Sequence, residues 1–168
     1  MTDICCIGHI TLDKIITPQH ISYMPGGTAY YFSRGMASLH ALTGYKLITA
    51  LGSKEYPIVD ELRKAGIDID VLPSRHTVYF ENRYGENSDN RTQRVLAKAD
   101  PFTIDALHKE NAHFFHLGSL LADDFPPEVI KYLSGKAILS VDAQGYLREV
   151  KGDKVSPIGW PENREILK

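Results

Sequence analysis

The sequence predicts an α/β fold: a mostly parallel sheet flanked by helices, with a small separate β unit. Three observations carry this. Short apolar runs alternate with helical segments from Tyr45 to Val71, and the same rhythm returns from Ala112 to Val141. Strand–helix–strand order of this kind favours parallel pairing through crossover helices. Between the two blocks, residues 77–83 and 91–97 both read as extended and flank the polar turn Gly85-Glu86-Asn87-Ser88-Asp89-Asn90. This hairpin, polar at its tip, need not lie in the main sheet.

In chain order, residues 4–7 form a short apolar run closed by Gly8, as a buried strand requires. Residues 11–16 are a second extended candidate, stopped by Pro18, with residues 20–23 as its return strand. Met24-Pro25-Gly26-Gly27-Thr28-Ala29-Tyr30-Tyr31 then turns the chain into a helix expected over residues 28–42, about four turns long, with Gly44 as its C′ residue. Small residues along it (Ala29, Ser33, Gly35, Ala37, Ser38) suit close packing on a sheet. Residues 45–51 read as a core strand closing at Gly52. Residues 58–64 read as a helix stopped by Gly66. Ile67, Ile69 and Val71 alternate with Asp68 and Asp70, giving a strand with one wetter face. After the hairpin come a strand at 112–117, a helix at 126–133 and a strand at 136–141 ending at Asp142. Residues 162–168 read as the start of a helix with no C-cap.

Composition narrows the function classes. The 168 residues are 43% hydrophobic and 24% charged, which suits one domain with a substantial core. A net charge of −2 and the lack of a polybasic stripe argue against a nucleic-acid partner. No apolar run approaches a membrane span, and no secretory signal opens the chain, so a soluble cytoplasmic protein is expected. Cys5 and Cys6 are the only cysteines. As strand neighbours they point to opposite faces, so they read as small buried hydrophobes rather than as a disulfide. No metal-ligand cluster stands out. His113 and His116, three apart on a strand, face opposite sides.

The candidate site residues gather where strands end. In a parallel α/β sheet ligands collect at the carboxyl ends of the strands, and Asp13, Gly27, Gly52, Ser119 and Asp142 lie at or soon after such ends. Asp13 is the sharpest of them: a carboxylate accepts from two adjacent hydroxyls. The alternative is a solvated charge beside Lys14. Gly26-Gly27 lets the backbone approach a ligand closely, next to the free amides and positive dipole end of a helix. It is equally readable as a simple helix-entering turn. Asp142-Ala143-Gln144-Gly145-Tyr146-Leu147-Arg148 offers groups for hydroxyls, amides or a carboxylate, or forms a polar surface loop. No Gly-x-Gly-x-x-Gly fingerprint and no Gly-Lys-Ser/Thr phosphate loop is present.

Taken in order, these segments resemble the N-terminal half of the ribokinase-like, or PfkB, carbohydrate kinases. Gly8-His9-Ile10-Thr11-Leu12-Asp13 looks like the family's opening strand and sugar-binding Asp. Gly26-Gly27-Thr28-Ala29 looks like its double-glycine signature. Gly52-Ser53, Glu61-Leu62-Arg63-Lys64-Ala65-Gly66-Ile67-Asp68-Ile69 and the run from Asp142 to Arg148 also fit. The hairpin, with Arg91-Thr92-Gln93, falls where the family builds its β lid. The resemblance spans essentially all 168 residues. It implies transfer of the ATP γ-phosphoryl group, with Mg²⁺, to a sugar or polyol hydroxyl. It assigns substrate contacts to Thr11, Asp13, Gly26, Gly27, Thr28, Tyr31 and Arg148, and lid positions to Phe80, Arg91 and Gln93. In the family such a lid often packs against that of a second subunit, which implies a homodimer through the lid; the alternative is a lid that folds over its own site.

The resemblance divides the chain accordingly. Residues 1–168 correspond to the N-terminal portion of one ribokinase-like domain, with lid segments at about 11–24 and 77–97. The family's catalytic base and anion hole come from a Gly-Ala-Gly-Asp motif in its C-terminal half, and that motif is absent from these residues. The expectation is therefore a chain that holds the substrate-binding half and lid, has no catalytic residue of its own, binds no tight cofactor and is inactive alone. A non-catalytic sugar-sensing or regulatory module on the same fold is the alternative. An unrelated nucleotide-binding α/β domain is disfavoured by the missing phosphate loops. Tyr31 stands where the family usually has Asn, Ser53-Lys54-Glu55 departs from its acidic pattern, and Gly118 replaces a Glu of some relatives. These departures suggest a larger or acidic sugar, or an inositol-like polyol.

Overall fold

The computed structural model describes residues 2–87 and 89–160. Fifteen elements follow one another: β1 (Thr2–Gly8), β2 (Thr11–Ile16), β3 (Ile21–Gly26), α1 (Thr28–Ser38), β4 (Tyr45–Leu51), α2 (Tyr56–Lys64), β5 (Asp68–Pro73), β6 (Val78–Tyr84), β7 (Arg91–Ala97), α3 (Ile104–Leu107), β8 (Ala112–Gly118), α4 (Pro127–Ser134), β9 (Ile138–Val141), β10 (Arg148–Lys151) and β11 (Lys154–Pro157). Residues 162–168, expected to begin a helix, lie outside the described residues.

The first sheet has the order β5-β4-β1-β8-β9, and every pairing in it is parallel. Such a sheet must be covered on both faces, and the apolar residues divide accordingly. Cys6, Leu47 and Ile69 pack with Ala29 of α1 and Val59 and Leu62 of α2. Cys5, Ile7, Phe115 and Leu117 pack with Leu107 of α3 and Val129, Ile130 and Leu133 of α4. The adjacent cysteines thus serve opposite cores. Both are free, and burial pushes their thiols up to about 12.

The second sheet has the order β10-β11-β7-β6-β2-β3, antiparallel except for the β2–β6 pair. The hairpin β6–β7 belongs here and not to the main sheet, as the break in rhythm predicts. Register divides its two faces. Thr11, Asp13 and Ile15 share one face of β2 with Phe80 and Asn82 of β6, opposite which stand Val95 and Gln93 of β7. The other face carries a charged row in which Glu81 accepts from Lys14 at 2.8 Å and Arg94 pairs with Asp153. Lys14 therefore points away from Asp13 and is not its neighbour.

Two expectations need correction. Helix α1 stops at Ser38, not residue 42: Leu39 caps it and His40 takes a left-handed φ of 54°. Gly44 is not its C′ residue; its carbonyl instead accepts from the amides of Asp3 and Ile4 where β4 begins beside β1. In addition, β10 and β11 were not expected. They are short and mixed in polarity, and they extend the second sheet past β7 through the single Lys154–Arg94 register pair.

Candidate functional site

A cleft of about 210 Å³ lies where the cleft-facing side of the second sheet meets the start of α1. Thr11, Asp13, Gly27, Thr28, Tyr31, Phe80, Arg91, Gln93 and Arg148 all line it, together with Asn82, Leu120 and Gln144. Residues from β2, the β3–α1 corner, β6, β7 and the β9–β10 loop thus converge on one space. Its size is below the span typical of drug-sized ligand sites, so it suits a small molecule.

Asp13 is the only carboxylate among these lining residues. Thr11 Oγ1 donates to its Oδ1 at 2.7 Å. This fixes the carboxylate and leaves further acceptor positions, because an ionised carboxylate has roughly four lone-pair sites. Burial raises the Asp13 pKa above its ordinary value, while the Thr11 hydrogen bond and the Arg91 and Arg148 charges oppose the rise.

The glycine pair plays two roles. Gly26 does not line the cleft; it pairs with Thr11 across the β2–β3 ladder. A β-carbon there would stand 2.5 Å from Asp13 Oδ2 and 2.8 Å from Thr11 Oγ1, so the missing side chain makes room for the carboxylate. Gly27 is the N-cap of α1, with φ 93° and no side-chain cap. A β-carbon on it would meet the His9 carbonyl at 2.5 Å. At the same helix start, Thr28 Oγ1 donates to Asp142 Oδ2 at 3.1 Å, and Asp142 Oδ1 accepts from the Gln144 amide. The end of β9 is thereby tied to the start of α1, and a carboxylate sits at the positive end of the helix dipole.

The aromatic and cationic walls are also defined. Phe80 is buried, and the Arg148 guanidinium lies 6.0 Å from its ring centroid, within cation–π range. Arg148 donates to the Leu120 carbonyl. Gln93 Nε2 donates to Asn82 Oδ1 at 2.8 Å. Tyr31 is half exposed at the rim, edge-on to Tyr30. Burial and the Asp13 charge both raise its pKa.

Behind the cleft lies a pair that the sequence does not reveal. His9 is fully buried, with Nδ1 3.1 Å from the Ala50 carbonyl. A carbonyl only accepts, so Nδ1 carries the proton. Its Nε2 has no hydrogen-bond partner among the described residues and faces Asp124 Oδ1 at 3.7 Å. The other oxygen of Asp124 accepts from the Leu120 and Leu121 amides at 2.7 and 3.0 Å. Asp124 thus holds the loop whose Leu120 forms a cleft wall. Burial raises its pKa, opposed by His9 and the two amides.

Other candidates lie elsewhere. Gly52 donates to Thr77 Oγ1, which in turn donates to Glu55; this is a separate polar cluster beside α2. Ser119 bonds the Leu121 carbonyl within its own loop. His113 is exposed against Asp3, and His116 stacks on Phe32 on the opposite side of β8. Asn82 and Leu120 were missed. The alternation of β6 signals Asn82, two residues from Phe80, whereas nothing local signals Leu120.

Among the described residues no group of three or more His, Cys, Asp or Glu side chains is placed to hold a metal ion. Nor is any helix long and apolar enough to cross a membrane.

No protein-family profile and no curated protein matches the chain. Solved structures do. A pyrophosphate-dependent kinase in the ribokinase family, solved as a sulfate complex, superposes with a TM-score of 0.86 at 29% identity, over 98% of this chain and 59% of that one. A pyrophosphate-dependent kinase of the ribokinase family, in complex with a pyrophosphate analog and myo-inositol, gives 0.86 at 28% identity, over 98% and 58%. Ribokinase from Thermotoga maritima gives 0.58 at 13% identity, over 85% and 53%, a likeness of fold alone. The chain spans less than two thirds of the length of each. Its structural neighbours are ribokinase-family kinases, and its own fold is ribokinase-like.

Proposed function

We propose that this chain is the acceptor-binding part of a ribokinase-family kinase, and that its cleft receives a sugar or an inositol-like polyol. The observation that carries this reading is the geometry at Asp13. One edge of the carboxylate is fixed by Thr11, Gly26 leaves room behind it, and the rest faces a 210 Å³ cleft bounded by Gly27 and Thr28 at a helix start. Asp13 accepts from adjacent hydroxyls, Asn82, Gln93 and Gln144 bond others, and Phe80 covers an apolar ring face. The kinase solved with myo-inositol supports a polyol in this place. Tyr31 narrows the rim and favours a six-membered polyol over ribose.

The second sheet acts as a lid over that acceptor, with segments near 11–24 and 77–97. Edge strand β3 presents Ile21 and Tyr23, 59% and 60% exposed on one face, and we assign this edge to a two-fold contact with a second copy. The phosphoryl donor is ATP or pyrophosphate; the pyrophosphate-dependent neighbours weigh toward the latter. The Gly-Ala-Gly-Asp motif is absent from the 168 residues, so this chain alone binds acceptor and transfers no phosphoryl group. The unpaired buried thiols fit a reducing compartment, the cytoplasm.

A thermal-shift panel of myo-inositol, glucuronate, fructose and ribose tests the acceptor reading. Stabilisation by polyols or acidic sugars ahead of ribose is expected. Equal response to all, or a preference for ribose, contradicts it.

A further inference from the structure

His9 has no exposed surface, and Asp124 is 4% exposed. One comes from the β1–β2 turn and the other from the loop after β8. The Nδ1 proton of His9 goes to the Ala50 carbonyl, so a neutral ring turns the lone pair of Nε2 toward Asp124 Oδ1, 3.7 Å away. A carboxylate oxygen also only accepts. Two acceptors facing each other in a buried space repel, and the unneutralised carboxylate charge adds its own desolvation cost. One proton between them removes both penalties, as an imidazolium beside a carboxylate or an imidazole beside a carboxylic acid.

The surrounding groups leave this proton to the pair. Phe102 stacks on the His9 ring at 4.5 Å between centroids. Asp123 pairs with Lys98, and the Tyr146 hydroxyl donates to the Phe125 carbonyl. Arg148 donates to the Leu120 carbonyl and attracts the Asp124 charge. Burial raises the Asp124 pKa and the Asp123 charge adds to the rise, while His9 and the two loop amides oppose it.

The pair reaches the cleft through Leu120. The Leu120 amide donates to Asp124 Oδ2, its carbonyl accepts from Arg148, and its side chain lines the cleft and packs in one apolar cluster with Phe80. We infer that His9 and Asp124 hold one proton between Nε2 and Oδ1 and thereby fix Leu120 as a wall of the Asp13 cleft. Both are positioning residues: neither lines the cleft. Loss of the proton at alkaline pH leaves a carboxylate facing a bare nitrogen, and the loop that carries Leu120 loosens. The effect on polyol binding rests on the acceptor reading; the proton and the loop do not.

Three measurements from neutral to alkaline pH test this on the unaltered chain, Asp124→Asn and Asp124→Ala: ¹⁵N NMR of the His9 ring, amide hydrogen exchange at Leu120 and Leu121, and urea unfolding. Above about pH 7.5 an unfolded histidine and aspartate hold almost no proton. The folded pair holds one, so its stabilising effect declines as pH rises, and the unfolding constant grows about tenfold per pH unit until the folded pair gives the proton up. Asp124→Asn offers an amide N–H to Nε2 and keeps a carbonyl for the two loop amides. It should fold, protect Leu120 and Leu121 as the unaltered chain does, and lack that tenfold slope. Asp124→Ala should lose the protection. A protonated or hydrogen-bonded Nε2 at neutral pH, with the slope removed by Asp124→Asn, supports the inference. A bare Nε2, a slope that Asp124→Asn leaves unchanged, or loop protection indifferent to Asp124→Ala overturns it. Calorimetric titration of myo-inositol runs alongside. Affinity that falls where the loop protection falls supports the link to the cleft. No myo-inositol binding at any pH, with the proton and loop behaving as expected, upholds the pair and sinks the acceptor reading.

Discussion

The backbone of Gly26 lies against the carboxylate of Asp13, so closely that a single methyl group there would stand 2.5 Å from Oδ2. The contact joins adjacent strands of the second sheet, and Thr11, the ladder partner of Gly26, supplies the hydrogen bond that fixes the same carboxylate. The double glycine therefore serves the carboxylate first and the helix start second.

Gly26→Ala should push Asp13 out of its place without breaking the sheet. A loss of polyol affinity of tenfold or more is expected, with a stability cost of roughly 1–3 kcal/mol, as overpacking gives. Titration calorimetry and urea denaturation read the two separately. Affinity unchanged in a folded variant would contradict the positioning role.

Gly27→Ala acts differently. Its φ of 93° and the His9 carbonyl behind it make any side chain strained, at roughly 1–3 kcal/mol. The midpoint of urea unfolding should fall even in the absence of ligand.

Asp13 sets opposite pH dependences for stability and for binding. Its pKa is raised on folding, chiefly by burial, so the folded chain holds the proton more tightly than the unfolded one. Its contribution to stability is full below the ordinary aspartate range and is lost as pH rises through the raised value. Asp13→Asn should therefore stabilise the chain near neutral pH. On the proposed acceptor reading, polyol binding needs the ionised carboxylate, and it should weaken as pH falls through that same raised value, earlier than for an ordinary aspartate. Denaturation and titration series across pH check both signs.

Much of this was legible in the sequence, because local patterns encode it. Alternation in residues 67–71 marks β5, and the turn from Gly85 to Asn90 marks the β6–β7 hairpin; the strand-end rule leads only to the neighbourhood of Asp13, which itself stands within β2 of the second sheet and not at the carboxyl end of a parallel strand. The end of α1 is not legible locally: Gly44 looks like a helix stop, whereas the chain already turns at Leu39 and His40. Strands β10 and β11 carry no clear alternation and depend on pairing with each other through the Gly152 turn. The His9–Asp124 pair joins residues far apart in sequence, and only the packing of the β1–β2 turn on the loop after β8 brings them together.

That pair yields a stability prediction. Asp124→Ala removes the acceptor for two buried amides and leaves His9 facing an apolar gap. A loss of roughly 3 kcal/mol is expected, measured by urea unfolding. A loss below about 1 kcal/mol, the scale of exposed pairs, would show that the Leu120 loop is held by other contacts.

The exposed β3 edge makes assembly testable. Sedimentation equilibrium should find a concentration-dependent dimer that Ile21→Lys converts to monomer. A monomer at all concentrations would remove the two-fold contact and leave the cleft untouched.

The most direct test of the central claim is calorimetric titration of myo-inositol into the unaltered chain and into Asp13→Asn. Saturable one-to-one binding that Asp13→Asn abolishes, while the variant remains folded and is no less stable, is the predicted result. Undiminished binding by Asp13→Asn would place the acceptor elsewhere and contradict the account.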